Sequence, residues 1–137
     1  MAHWTSSNHN HADEYIGSAL PFVTSSVAPN LSAPAAPHRI EFPYVTRWVM
    51  IVNNGSGGLR VGFTVNGITG NGPDSGRDHY FRVAASSASE RLELKLKEIF
   101  VGGDGATPTY QVVAGYTNIP TKNFPTLTGS AGFEGVG

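Results

Sequence analysis

The sequence contains no cysteine, which excludes disulfide bonds and thiolate metal sites. Charge is also scarce: 14% of the residues are Asp, Glu, Lys or Arg, where a typical globular protein has about a quarter. The nine Lys and Arg are scattered and the formal net charge is −1. Because a phosphate-binding surface needs clustered cations, we expect no nucleic-acid partner. No stretch approaches 18 apolar residues, so we expect no direct membrane insertion.

The first 17 residues have neither a basic start nor an apolar run, which argues against a secretory signal peptide. After Met1, their only large apolar side chains are Trp4, Tyr15 and Ile16. Ordering a backbone costs about 1–2 kcal/mol per residue. Burying three side chains returns only about 1.5–3 kcal/mol each. We therefore predict an extended N-terminal arm over residues 1–17.

What the sequence has in abundance is turn residues, with 17 glycines and nine prolines. Short stretches of alternating apolar and polar residues lie between them, a pattern typical of β-strands. It predicts an all-β chain with no convincing helix: an antiparallel β-sandwich, a single jelly roll of about eight strands. We place this domain at residues 18–127 and a glycine-rich C-terminal segment at 128–137. The clearest strands are Ala19–Thr24, Arg39–Phe42, Trp48–Val52, Leu59–Val65, His79–Val83, Arg91–Val101 and Thr109–Thr117.

Two of these stretches allow finer predictions. Trp48–Val52 is apolar at every position, which favours a central strand buried on both faces. Arg91–Val101 alternates strictly, with Leu92 and its apolar neighbours facing inward, but the phase slips before Ile99. A β-bulge near Lys97–Glu98 would account for that slip.

Metal sites are weakly indicated. The tail residues His3, His9 and His11 are possible imidazole ligands, but no carboxylate pattern completes a site. Asp74, Asp78 and Asp104 lie in glycine-rich loops that could hold calcium. Their spacing lacks the pattern of a calcium loop, and Asp is favoured in turns for backbone reasons. We expect no metal and no cofactor.

An enzyme is also disfavoured. No Gly-x-Ser-x-Gly nucleophile motif occurs. A cupin-like barrel would need inward His and carboxylate residues, for which His38, Glu41 and His79 are the only candidates, at a spacing that does not support one. We therefore predict no catalytic residues. Four tyrosines could line a sugar-binding face or fill the core, and the sequence leaves both readings open: Tyr44, Tyr80, Tyr110 and Tyr116.

Several strand-like segments resemble a known family. FPYVTRW at 42–48, LRVGF at 59–63 and LELK at 92–95 are similar to segments of the small single-jelly-roll penton proteins of large icosahedral double-stranded DNA viruses. The resemblance covers the chain from about His11 onward. It implies a structural virion protein that forms a homopentamer at the fivefold vertices of the capsid, surrounded by major and minor capsid proteins and assembled in the host cell.

Low charge and two extended ends also suit packing into a symmetric shell. A fivefold ring uses heterologous contacts between different patches of one subunit. We expect Met1–Ile16 and Thr128–Gly137 to contact neighbouring subunits or the shell. The alternative is a jelly-roll carbohydrate-binding module or lectin-like attachment protein, which predicts a sugar bound on exposed aromatic rings.

Overall fold

The computed structural model of the chain describes residues 20–32, 35–69, 79–127 and 135–136. The predicted arm and nearly all of the predicted C-terminal segment lie outside these residues. No helix within them is long and apolar enough to span a bilayer. In chain order the elements are β1 (Leu20–Val27), β2 (His38–Glu41), β3 (Tyr44–Asn53), β4 (Leu59–Gly62), α1 (Val65–Thr69), β5 (Tyr80–Val83), β6 (Ser87–Ala88), β7 (Glu98–Gly103), β8 (Thr109–Pro120) and a 3-10 turn (Thr121–Asn123).

The strands form two antiparallel sheets of four: sheet I in the order β1-β8-β3-β6, and sheet II in the order β2-β7-β4-β5. The first strand pairs with the last, the second with the second to last, and so on inward, as in one long hairpin: β1–β8, β2–β7, β3–β6 and β4–β5. Pairing of β8 with β3 and of β7 with β4 completes the sheets. A hairpin rolled up in this way is a single jelly roll. The predicted all-β sandwich of about eight strands is confirmed.

The core lies between the sheets because successive side chains of a strand point to opposite faces. Phe22 of β1 meets Phe42 edge to face, with 5.2 Å between the ring centroids. Burying such side chains is the main favourable term in folding. Phe22 is partly buried, and the buried members of this core besides Phe42 are Ala28, Ile40, Val49, Ile51, Leu59, Val61, Val83, Leu96, Ile99, Val101, Tyr110, Val112 and Ala114.

Strand β3 occupies a central place between β8 and β6. Its inward residues Val49 and Ile51 are buried, as predicted. Trp48, Met50 and Val52 on its other face are only partly covered. The prediction that this strand is buried on both faces is therefore wrong for a single chain. The sandwich core covers the face of Val49 and Ile51 and leaves the other face partly exposed.

The segment Arg91–Val101 is not the single strand that we predicted. Residues 89–97 follow the edge of β3, where Val49 and Leu92 exchange two backbone hydrogen bonds of 2.9 and 2.8 Å. The chain then crosses to sheet II, in which β7 begins at Glu98. The predicted bulge thus marks a change of sheet. The apolar phase shifts there because the two sheets face the core from opposite sides.

One turn of helix, α1, was not predicted from the sequence. Thr64 caps it, since its Oγ1 accepts the N–H of Gly67 at 2.8 Å. The same hydroxyl donates to the carbonyl oxygen of Val136. A Cβ on Gly67 would collide with that oxygen and come within 3.0 Å of the carbonyl oxygen of His79. Val136, which we expected to contact a neighbouring subunit, makes these contacts within its own chain.

Two buried threonines stabilise the irregular first half of β3. Its register against β8 shifts on both sides of Thr46, so part of the backbone pairing is lost there. The Oγ1 of Thr46 donates to the carbonyl of Leu94 at 2.7 Å and accepts the N–H of Leu96 at 2.9 Å. The Oγ1 of Thr117 donates to the carbonyl of Val45 at 2.8 Å. The Thr117 hydroxyl thus supplies a partner on the β8 side of β3, and the Thr46 hydroxyl links β3 to residues 94–96 on its other side.

Asn53, at the end of β3, holds the adjoining loop in place and is 1% exposed. Its Nδ2 donates to the carbonyls of Gly57 and Val83, at 2.7 and 3.1 Å. Its Oδ1 accepts the N–H of Gly55 at 2.9 Å. One amide therefore links the β3–β4 turn to the end of β5.

We predict that Asn53→Ala lowers the free energy of unfolding by about 2–3 kcal/mol, because it leaves buried backbone groups without partners. Asn53→Asp should be similarly destabilising, since a carboxylate cannot donate to two carbonyls. Urea denaturation followed by circular dichroism measures both. Asn54→Ala, at the exposed neighbouring position, is the control and should change little. Equal effects at the two positions would contradict this role of Asn53.

Gly67→Ala should lower the free energy of unfolding by about 1–3 kcal/mol, the usual range for forcing a methyl group into a filled space. Gly58→Ala is the control, because a Cβ there meets only Asp104 at an ordinary 3.7 Å. In a chain that lacks Val136 and Gly137 the cost of Gly67→Ala should fall. If Gly67→Ala costs as much in the shortened chain, the contact with Val136 is not the cause of the destabilisation.

Candidate assembly surfaces

The three candidates for a cupin-like site are not brought together. His38 and Glu41 are three residues apart on β2, so they lie on opposite faces of sheet II. The Nδ1 of His38 lies 2.9 Å from the hydroxyl of Tyr110. Glu41 pairs with Arg39 at 3.0 Å on the outer face. His79 adjoins β5, the opposite edge strand of the sheet.

No group of three or more His, Cys, Asp or Glu side chains within the described ranges could hold a metal ion. The tail histidines His3, His9 and His11 lie outside those ranges, as do Asp74 and Asp78.

Asp104 is the one calcium candidate that the structure describes. The Nε and Nη2 of Arg60 donate to its Oδ1 at 2.9 and 2.6 Å, and the Nε of Arg82 donates to its Oδ2 at 2.7 Å. The guanidinium of Arg82, followed by that of Arg60, lowers the pKa of the Asp104 carboxyl below its ordinary value. Both carboxylate oxygens of Asp104 thus already accept hydrogen bonds from arginines. This is the arrangement of an ion-pair cluster and not of a calcium site.

The candidate sugar-binding tyrosines do not share one surface. Tyr44 and Tyr116 stack on each other on sheet I, with 5.5 Å between centroids. Tyr80, on sheet II, lies under the guanidinium groups of Arg60 and Arg82 at 4.5 and 5.2 Å. Tyr110 is buried between the sheets, and this burial raises the pKa of its phenol. The four rings therefore form no common platform for a sugar.

The two sheets differ sharply in charge. The strands of sheet I contain eight, twelve, ten and two residues, and Arg47 is the only charged one among them. The shorter strands of sheet II contain five charged residues: Arg39, Glu41, Arg60, Arg82 and Glu98. The strands of sheet I thus carry much less charge than the strands of sheet II.

The outer face of sheet I presents an apolar row. Register places Val23 of β1 beside Val113 of β8, and Val113 beside Met50 of β3. Trp48 lies one row away on the same face. Val23 is 65% exposed. Depletion of charge together with Trp, Tyr and Met is the composition of a protein–protein interface core.

Four loops meet at one end of the sandwich, where they connect β1 to β2, β3 to β4, β5 to β6 and β7 to β8. Backbone hydrogen bonds link them: Ser86 donates to Gly55, and Asp104 donates to Gly58, at 3.1 and 3.0 Å. Apart from Asp104, which is paired with arginines, these loops contain no charged residue. The loop end is a second surface with little charge.

An open cleft of about 290 Å³ lies at the β2–β7 side of sheet II. Arg39 makes a bidentate contact with Glu98 there, with Nη2 2.8 Å from Oε1. The cleft is lined by Arg39, Glu41, Phe42, Lys97, Glu98, Thr121 and Lys122. None of these residues is a histidine, cysteine or serine.

We predict that Asp104→Asn lowers the free energy of unfolding by about 1–2 kcal/mol at pH 7, a range that allows for the partial exposure of the cluster. The folded-state pKa of Asp104 is lowered, so the stabilisation is full above the unfolded pKa of about 4 and is lost as the pH falls through the folded value. The difference between the wild-type chain and the variant should therefore shrink below about pH 4.

Urea denaturation at a series of pH values measures this difference. Glu93→Gln is the control, because its ion pair with Arg91 has both side chains more than half exposed and should contribute little. A difference between Asp104→Asn and the wild-type chain that does not vary with pH would contradict the account.

Comparisons with known proteins do not place the chain in a family. No family model and no curated protein matches it. Two solved structures are similar to it. One is a protein of Bacillus endospore appendages, which form a family of disulfide-linked pili: identity is 13% over 72% of this chain and 85% of that one, with a TM-score of 0.42. The other is PirA, 17% identical over 70% of this chain and 84% of that one, with a TM-score of 0.29.

Proposed function

We propose that this chain is a structural virion protein, a penton capsid protein that forms homopentamers at the fivefold vertices of an icosahedral capsid. Its partners in this role are four further copies of itself and the major and minor capsid proteins around them. Its location is the virion.

The observation that carries this proposal is a single jelly roll in which the four strands of one sheet contain one charged residue. Capsid proteins, lectins and cupins are among the proteins built on jelly rolls. A cupin needs inward metal ligands, which the described residues do not assemble. A lectin needs accessible aromatic rings. Tyr110 is buried and Tyr80 is covered by arginines, so only the stacked pair Tyr44 and Tyr116 among the four offers an exposed ring. The capsid role needs an extended surface for contact, and sheet I offers one.

In a twofold dimer the same patch of both subunits forms the contact, whereas in a closed ring of five each contact joins two different patches. Each subunit must present two different patches that fit each other. Two surfaces of low charge answer this requirement: the apolar row Val23–Val113–Met50 on sheet I and the loop end of the sandwich. Contact between uncharged surfaces avoids the cost of burying unpaired ions. The resemblance of the sequence to penton proteins supports the same assignment.

We predict that the purified full-length chain forms a particle of about five times its 14.5 kDa mass. Met50→Lys should convert it to monomer without unfolding it, because Met50 points away from the core and a buried unpaired charge opposes association. Native mass spectrometry measures the assembly, and circular dichroism checks the fold.

Asn123→Lys is the matched control, since it adds the same charge at an exposed position outside sheet I, and it should leave the pentamer intact. A wild-type chain that stays monomeric at high concentration would contradict the proposal and favour the lectin-like alternative, which a glycan array then tests.

A further inference from the structure

A sheet edge exposes unpaired backbone groups, and proteins usually protect such edges with charges, proline or short strands. The described sandwich has four edges: β1 and β6 in sheet I, and β2 and β5 in sheet II. Each of the four edge strands pairs on one side only within the described residues. Their protection differs from edge to edge.

Three of the edges carry charge. Strand β2 contains Arg39 and Glu41, and β5 contains Arg82. The β6 edge is continued along β3 by the segment 89–97, in which charged side chains alternate with leucines. Strand β1 is different, because its eight residues include no charged side chain and Pro21 is its only protecting residue. It is also four times as long as β6.

The direction of the free backbone groups on β1 follows from its pairing with β8. The N–H of Ala28 donates to the carbonyl of Pro108 at 2.8 Å, in continuation of the β1–β8 register. In an antiparallel pair the residues that bond to the partner alternate. Val23, Ser25 and Val27 therefore direct their N–H and C=O groups away from β8, toward the open edge. Pro21 also faces the open edge, but it has no N–H group to donate.

These residues also place their side chains on the outer face of sheet I. Val23 and Val27 are 65% and 55% exposed. A strand added at this edge would pair with Val23, Ser25 and Val27 and would extend the apolar row Val23–Val113–Met50 by one position. Backbone pairing and apolar burial would then act together, as in other cases of strand addition.

We propose that the open edge of β1 pairs with residues 1–19 of a neighbouring copy, which adds a strand to sheet I across each subunit contact. This proposal rests on the proposed ring of five. Residues 1–19 directly precede Leu20, the first residue of β1, in the sequence. Fully extended they reach about 60 Å, whereas a folded chain of this length has a radius of gyration of about 14 Å.

Pro21 favours an intermolecular strand over a hairpin within one chain. A hairpin that turned back just before β1 would form its first pairs beside the turn, at the residue that lacks an N–H. A strand from another subunit can pair with Val23, Ser25 and Val27 alone. The segment also brings Trp4, Tyr15 and Ile16, which suit the apolar outer face.

The test measures the mass of the full-length chain and its variants by native mass spectrometry. Ser25→Pro removes an N–H that points to the open edge and none that bonds to β8, so the isolated fold should survive. We expect loss of the pentamer. Val23→Lys, which leaves the backbone intact, should cause the same loss. Ser25→Ala is the matched control and should keep the pentamer, and circular dichroism verifies that each variant is folded.

Removal of residues 1–14 identifies the strand that occupies the edge. It should dissociate the pentamer as Ser25→Pro does, and the combined variant should be no worse than either alone, because both remove one interaction. A pentamer that survives Ser25→Pro overturns the strand addition while leaving the proposed function intact. Dissociation by that substitution but not by the deletion also overturns it, since another segment must then occupy the edge. A wild-type chain that forms no pentamer refutes both proposals.

Discussion

The pairing of β3 with β8 is the constraint on which the other features depend. It joins the two longest strands, and its register sets Val49 opposite Ala114 and Ile51 opposite Val112. Because side chains alternate between faces, a shift of one residue would exchange the core with the surface. The register that buries these four side chains therefore also directs Met50 outward. The apolar outer row is a consequence of how the core is filled.

The interior tolerates an irregular β3 because polar side chains complete its hydrogen bonds. Thr46 and Thr117 pair with backbone groups where the register shifts, and Asn53 ties the turn after β3 to the end of β5. These contacts fix the loop end as well as the core. In the proposed assembly, loops held in place by such bonds would lose less entropy on association than loops without them.

Much of this fold could be predicted from the sequence, because alternation reports which residues face a core. It identified β4, where Leu59 and Val61 are buried, and it favoured an antiparallel sandwich. Alternation does not report which strand lies alongside, so the change of sheet at Lys97–Glu98 looked like a bulge. Asn53 was read as part of a turn signal, since a sequence does not reveal that an amide is buried and fully bonded. The single turn of α1 depends on Thr64 and on contacts distant in the chain.

The candidate surfaces were harder to predict than the fold. Low charge was visible in the composition, but the difference in charge between the strands of the two sheets appears only once the strands are assembled. The most direct test of the central claim is electron cryomicroscopy of the assembled full-length protein, with the copies counted around the symmetry axis. The account predicts five copies of the sandwich around one axis, with sheet I at the subunit contacts. Particles of any other symmetry, or a pentamer whose subunits leave sheet I facing solvent, would contradict it.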